Sequence, residues 1–229
     1  MFRNRQDAGR RLLDRLPPLA AEDTVVIALP RGGLPVAEVI AEAIGAPLDI
    51  ALVRKVGYPG QPELALAAVT DGDNPQLAVN QDVARIAGLN DADIRALAEP
   101  ELAEIHRRRQ LYLKGRPPVP LTGKIAVVVD DGIATGATMR AALRLVRAAG
   151  PSRLIVAVPV GPADRIADLK RDCDELSGLE TPQPFHAVGL HYQVFDQVPD
   201  ATVTEILERH AHRRPPRTDS RPASRRRQE

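Results

Sequence analysis

Lys124–Ala142, KIAVVVDDGIATGATMRAA, is the stretch whose reading decides the fold. Ile125 to Val129 are five consecutive apolar residues, which predicts a buried strand of a parallel sheet. The run stops at two adjacent carboxylates, Asp130 and Asp131. A loop of small residues follows, Gly132-Ile133-Ala134-Thr135-Gly136-Ala137-Thr138. A helix then begins, with Met139, Ala142, Leu143, Val146 and Ala149 on one face and Arg140, Arg144 and Arg147 on another. Strand, small-residue loop and helix start together gather unpaired backbone N–H groups and a positive dipole end, the natural cradle for one phosphate. Thr135 and Thr138 add hydroxyl donors to the same oxyanion. Two carboxylates cannot hold that phosphate, so they serve another part of a ligand: vicinal sugar hydroxyls, or a metal ion.

Four apolar residues, two acids and then x-hydrophobic-x-Thr-Gly-x-Thr resemble the phosphoribosyl pyrophosphate (PRPP) signature of the type I phosphoribosyltransferases. One departure is visible, since Ala137 stands where a second glycine is common. Rival readings have less support. No G-x-x-x-x-G-K-[ST] run occurs for a P-loop NTPase, and no G-x-G-x-x-G follows a predicted strand.

Working outward toward the N-terminus, TVVIAL (24–29) reads as a first buried strand. It runs into Pro30-Arg31-Gly32-Gly33 and a helix opened by Pro35 at its first position and carrying Val36, Val39, Ile40, Ala43 and Ile44. In the resembling superfamily a basic residue and a glycine after the first strand form the pyrophosphate-binding loop, often with a cis peptide. That implies Arg31, Gly32 and Gly33 as pyrophosphate ligands. Leu48–Val53 predicts a second strand, leading to Arg54 and Lys55 and a Gly/Pro-rich stretch without period that reads as a loop. This stretch is similar to the mobile catalytic loop of the family, which implies that Arg54 and Lys55 neutralise a departing pyrophosphate. Residues 64–69 form a third apolar segment, Asp71-Gly72 a turn, and 77–79 an antiparallel edge strand. Residues 81–114 are helical in pattern, with a kink or break expected at Pro100.

Toward the C-terminus, 153–158 predicts another strand and 163–172 a helix. PQPFHAVGLHYQVFDQVP (182–199) holds three of the chain's six aromatics, Phe185, Tyr192 and Phe195. The family's variable hood covers the acceptor, so the resemblance implies a hood from 1–20 and 182–199, with Phe185 and Tyr192 as acceptor contacts. A final amphipathic helix is expected over 200–210.

Strands alternating with helices imply an α/β architecture, a central, mostly parallel sheet flanked by helices with ligands at the strand carboxyl ends. All three candidate loops follow strands and so converge on one edge. FRNRQDAGRRL, ALPRGGLPVA, VRKVGYPGQPELA and FHAVGLHY extend the resemblance, over about residues 1–208, to a bacterial phosphoribosyltransferase group whose acceptor the sequence does not name. The expected domain is therefore 1–208 with a basic tail over 209–229. The tail carries eight arginines against Asp219 and Glu229, a net +6, which leaves the rest of this +1 chain at −5. It is Pro-rich and without periodicity, the composition of a disordered segment. Lacking aromatics, it argues weakly for nucleic acid.

At 229 residues and 44% hydrophobic content the chain supports one domain with a sizeable core. No apolar run approaches a bilayer span, and the first residues lack the pattern of a signal peptide. A lone Cys173 excludes an internal disulfide and fits a cytoplasmic setting. His186 and His191 have no carboxylate or cysteine company at metal spacing.

The resemblance implies displacement of pyrophosphate from C1 of PRPP by a nucleophile, nucleotide-metabolism chemistry with Mg²⁺ as cofactor. Asp130 and Asp131 would hold the ribose hydroxyls, with a secondary part in metal binding. Ala134, Thr135, Gly136, Ala137 and Thr138 would anchor the 5-phosphate. PRPP and a small acceptor are the expected partners; a homodimer is left open. Two other classes also remain open on sequence alone: a non-catalytic regulator that senses PRPP, and a hydrolase that uses water as acceptor.

Overall fold

The computed structural model describes residues 1–70 and 77–211, without the side chains of 62, 63 and 65. Five strands form one parallel sheet in the order β2-β1-β6-β7-β8, with β1 Thr24–Ala28, β2 Leu48–Ile50, β6 Ile125–Val129, β7 Arg153–Val160 and β8 Glu175–Glu180. β1 pairs with β6 in register Val26↔Val127, and β6 with β7 as Val127↔Ile155. All five residues of β1 are buried, as a strand covered on both faces requires. One face is covered by α1 (Arg5–Leu13) and α2 (Gly33–Ile44), with α7 (Asp200–Arg209) packed on α2 and α4 (Asp91–Leu113) packed on α7; the other face is covered by α5 (Ala137–Ala148) and α6 (Ala163–Leu169). Strand order reverses between β1 and β6, so a crevice opens at their carboxyl ends. The two candidate loops, after β1 and after β6, border that crevice.

The α/β expectation holds, and several local expectations are corrected. The second strand is short: the chain leaves the sheet after Ala51, whose N–H still donates to Ala28 O. The stretch read as a catalytic loop is instead an antiparallel hairpin, β3 (Val53–Tyr58) and β4 (Gln61–Thr70), turning at Pro59-Gly60. The expected edge strand is β5 (Leu77–Val79), antiparallel to β4 in a separate three-stranded sheet. The glycines and prolines that argued for a loop cluster at the turn and the bulge at Val56/Gly57, while Val56, Leu66, Ala67 and Val69 are buried. Sequence periodicity is masked by the bulge, because one extra residue flips the alternation.

α4 is unbroken at Pro100. The break falls earlier, where Gly88 at φ 65° ends α3 (Gln81–Ala87) and Asn90 with Asp93 forms a capping box for α4. Buried Ile94, Ala98 and Ile105 hold α4 on both sides of the proline. β8, ELSGLE, was not expected; as an edge strand with one buried residue it carries no apolar run. The helix expected over 163–172 stops at Leu169.

At the C-terminal side, α7 ends at Arg209, which pairs with Glu38, and buried His210 lies 3.7 Å from Glu42. The chain therefore stays docked on α2 two residues past 208. Residues 212–229 of the basic tail, and the expected turn at Asp71-Gly72, lie outside the described residues. Among the described residues no helix is long and apolar enough to cross a membrane.

Candidate functional site

The loops after β1 and β6 meet backbone to backbone. A Cβ on Gly32 would fall inside the Asp131 carboxylate, and one on Gly33 would lie 2.6 Å from Val129 O and 2.9 Å from Asp130 Cα. Both glycines are thus required by close approach. The peptide bond between Pro30 and Arg31 is cis. Leu29 N donates to Val129 O at 2.9 Å, which fixes the two strand ends side by side.

Asp130 and Asp131 close the β6 end. Asp130 Oδ1 accepts from the Asp131 N–H at 2.9 Å. Burial pushes the Asp130 carboxyl well above the usual range, and the neighbouring Asp131 charge adds to it. Burial also raises Asp131, and the Arg5 guanidinium pulls it back part of the way. Arg5 Nε donates to Asp131 Oδ2 at 2.8 Å, with side chains only 11% and 14% exposed. Its Nη1 donates to Asp196 O at 2.8 Å, and its guanidinium lies 3.9 Å from the centre of the Phe195 ring.

The phosphate-loop candidate has its left-handed residue at Gly136, φ 78°, which serves as N-cap of α5. Ala137 is the first helical residue and has no positive φ. Alanine in place of the common glycine therefore costs nothing in backbone strain. Ala134, Thr135 and Thr138 are exposed, while Ile133 and Met139 are buried and anchor the loop from below. The loop is a shallow rim of N–H groups and hydroxyls next to two half-buried acids.

A phosphoribosyl transferase domain model matches residues 6–193, which contain both loops and the acid pair. The chain belongs to the phosphoribosyl transferase domain family. Two Mycobacterium tuberculosis proteins, from strains CDC 1551 and H37Rv and each named "putative phosphoribosyl transferase", are 46% identical over 213 residues, 93% of this chain. The chain spans 47% of their length, about half. The crystal structure of TT1426 from Thermus thermophilus superposes with a TM-score of 0.78 at 42% identity, covering 90% of this chain and 97% of that one.

Within this phosphoribosyl transferase domain the remaining predicted site residues separate. Arg31 Nη1 lies 3.5 Å from Asp200 Oδ1 at the start of α7. Asp200 also accepts from the Tyr112 hydroxyl, which holds its carboxyl below the usual range with help from the nearby arginines. Arg54 and Lys55 are neighbours on β3 and point to opposite faces, as strand geometry dictates. Arg54 pairs with Glu101 on α4. Lys55 lines a cavity with Ala137 and Thr138 on the α5 side. Only Lys55 of the pair is brought to the phosphate loop.

Phe185 stacks on His191, centroids 5.4 Å apart, and borders a cavity of about 520 Å³ with Ala134, Thr135, Gln183 and His186. Tyr192 is elsewhere: it is 5% exposed and donates its hydroxyl to Asp131 O at 2.6 Å. Phe2, Tyr192 and Phe195 pack together, and Phe2 N donates to His191 O. Residues 1–8 and 185–195 thus form one cover beside the acids. Sequence reasoning missed Arg5 and Asp200. Nothing local marks either, since Arg5 and Asp131 are 126 residues apart in the chain.

Proposed function

We propose that this domain binds PRPP at the crevice between β1 and β6 and transfers its 5-phosphoribosyl group to a small acceptor, releasing pyrophosphate. The observation that carries this reading is the close approach of Gly32 and Gly33 to Asp130 and Asp131, which joins a cationic loop, an acid pair and the 134–138 loop into one rim. The 5-phosphate would sit on the N–H groups of Ala134 to Thr138 with the Thr135 and Thr138 hydroxyls. Asp130 and Asp131 would hold the ribose hydroxyls and favour positive charge on the sugar ring. Arg31, Gly32 and Gly33 would receive the pyrophosphate, with Lys55 adding charge from the hairpin and Arg54 holding the hairpin to α4 through Glu101. In the transfer, the acceptor's lone pair forms the new bond to C1 while the C1–O bond to pyrophosphate breaks and its electron pair leaves with the phosphate.

A hard-oxygen donor set beside a polyphosphate fits Mg²⁺, which keeps waters and takes only one or two carboxylates. Asp130 is the better donor here, because Asp131 is already tied to Arg5. When bound, the ion neutralises the pyrophosphate. The cover formed by 1–20 and 182–199 would act as the hood, with Phe185 facing the acceptor and Tyr192 bracing Asp131 from behind. The acceptor is identified by assay: pyrophosphate release from Mg-PRPP over a panel of nucleobases, amines and water, alongside equilibrium PRPP binding. Acceptor-dependent release supports the transferase; release with water alone makes the domain a hydrolase. PRPP binding without turnover makes it a sensor, and failure to bind PRPP overturns the reading altogether.

A further inference from the structure

Arg31 leaves the loop after β1 and reaches across to the first residue of α7. Its Nη1 lies 3.5 Å from Asp200 Oδ1, and the side chain stays partly exposed. Asp200 is in turn held from α4. The Tyr112 hydroxyl donates to the same Oδ1, and Arg107 Nη2 lies 3.9 Å from Oδ2. Tyr112 is fully buried, so its hydroxyl is a fixed point on the core side of α4. Asp200 also opens α7, where the helix dipole favours an anion. Gly32 and Gly33 fix the backbone of the β1 loop by close approach to the acid pair, but they do nothing to fix the Arg31 side chain. Asp200 supplies that constraint from the other end of the chain.

We propose that Asp200, anchored by Tyr112, is a positioning residue that holds the Arg31 guanidinium ready for pyrophosphate; this rests on the reading that Arg31 receives the pyrophosphate of PRPP. Two effects oppose each other at this point. A carboxylate near a pyrophosphate site repels the ligand, whereas a carboxylate that fixes an arginine spares the ligand the cost of ordering it. Repulsion is the smaller effect, because Asp200 is partly exposed and its charge is already met by Arg31, Arg107 and Arg108. Ordering is the larger one. Arginine is among the side chains with most rotamer freedom, and freedom lost on binding subtracts from affinity unless it is spent beforehand. The guanidinium carries its N–H donors in one rigid fork, so a contact at Nη1 leaves Nε and Nη2 for phosphate oxygens.

The test is calorimetric titration of the full chain with Mg-pyrophosphate. Asp200→Ala should weaken binding roughly three- to tenfold, the cost of ordering one arginine when the ligand arrives. Asp200→Asn keeps an oxygen that accepts from Tyr112 and Arg31, and should stay within about twofold of the parent. In an Arg31→Ala background, Asp200→Ala should change binding by less than about twofold, because its effect runs through Arg31. Ribose 5-phosphate, which reads the 134–138 loop, should bind parent and Asp200→Ala alike. Where Asp200→Ala does not melt cooperatively, Tyr112→Phe replaces it: the carboxylate stays, its anchor goes, and pyrophosphate should bind more weakly by a margin that vanishes without Arg31. Pyrophosphate affinity unchanged or raised in these variants, an Asp200 effect that persists without Arg31, or an equal loss for ribose 5-phosphate would each overturn the positioning role and leave the PRPP reading intact. A parent that binds ribose 5-phosphate but neither pyrophosphate nor PRPP overturns both.

Discussion

Replacing Arg5 with methionine tests how the acid pair is held. The Arg5–Asp131 pair spans 2.8 Å, with side chains 11% and 14% exposed, so solvent screens it little. At an effective dielectric of about 20 the Coulomb attraction at this distance is roughly 6 kcal/mol, of which desolvation of both groups cancels a large part. The cost of Arg5→Met is set by the partner it strands: a largely buried carboxylate losing its close cation costs about 3–5 kcal/mol. The lost guanidinium contact with Phe195 adds about 0.5–2 kcal/mol. For a domain of this size 1 kcal/mol moves the melting temperature about 2–4 °C, so the combined loss predicts a fall of roughly 7–28 °C by calorimetry. Neutralising the stranded acid should restore part of that loss. The double variant Arg5→Met with Asp131→Asn should therefore be more stable than Arg5→Met alone, with a coupling of about 1–3 kcal/mol. A loss under about 1 kcal/mol in the single variant, or no recovery in the double, would refute the view that Arg5 serves chiefly to hold Asp131 as an anion.

Asp130→Asn with Asp131→Asn should remove PRPP-dependent turnover, each acid being worth about 10²–10⁴ in rate, and single-turnover kinetics on a folded double variant measures it. Gly32→Ala should lower PRPP affinity, because its Cβ cannot coexist with the Asp131 carboxylate and one loop must move; calorimetric titration with Mg-PRPP reads the shift. Tyr112 is pushed up to about 12 by burial and by its bond to Asp200. Its contribution to stability is present below about pH 10, where an unfolded tyrosine keeps its proton, and is lost as pH climbs toward 12. Tyr112→Phe should accordingly flatten the alkaline limb of a melting-temperature profile. Half-buried Cys173 is pushed up to about 11, chiefly by burial, so it should react with iodoacetamide at neutral pH roughly a hundredfold more slowly than a free thiol until the protein unfolds.

What the sequence by itself determined is the part of this protein written in contiguous residues. Ile125–Val129 followed by Asp130-Asp131 and a small-residue loop can only be a buried strand feeding a helix, and the parallel sheet and the 134–138 rim follow from it. The same logic read β1 and the Arg31–Gly33 loop. Local reasoning failed where long-range contacts decide. The hairpin at 53–70 was hidden by its bulge and turn, and Pro100 was carried inside α4 by burial of Ile94, Ala98 and Ile105. Tertiary structure alone decided which charges act together. It set Arg5 on Asp131, Asp200 on Arg31 and Glu101 on Arg54, and it turned Lys55 toward α5. Each of these pairs joins segments far apart in the chain, and their meeting depends on strand order and helix packing. Hydrophobic periodicity records which face of an element is buried; it holds no record of which distant charge will stand across from it.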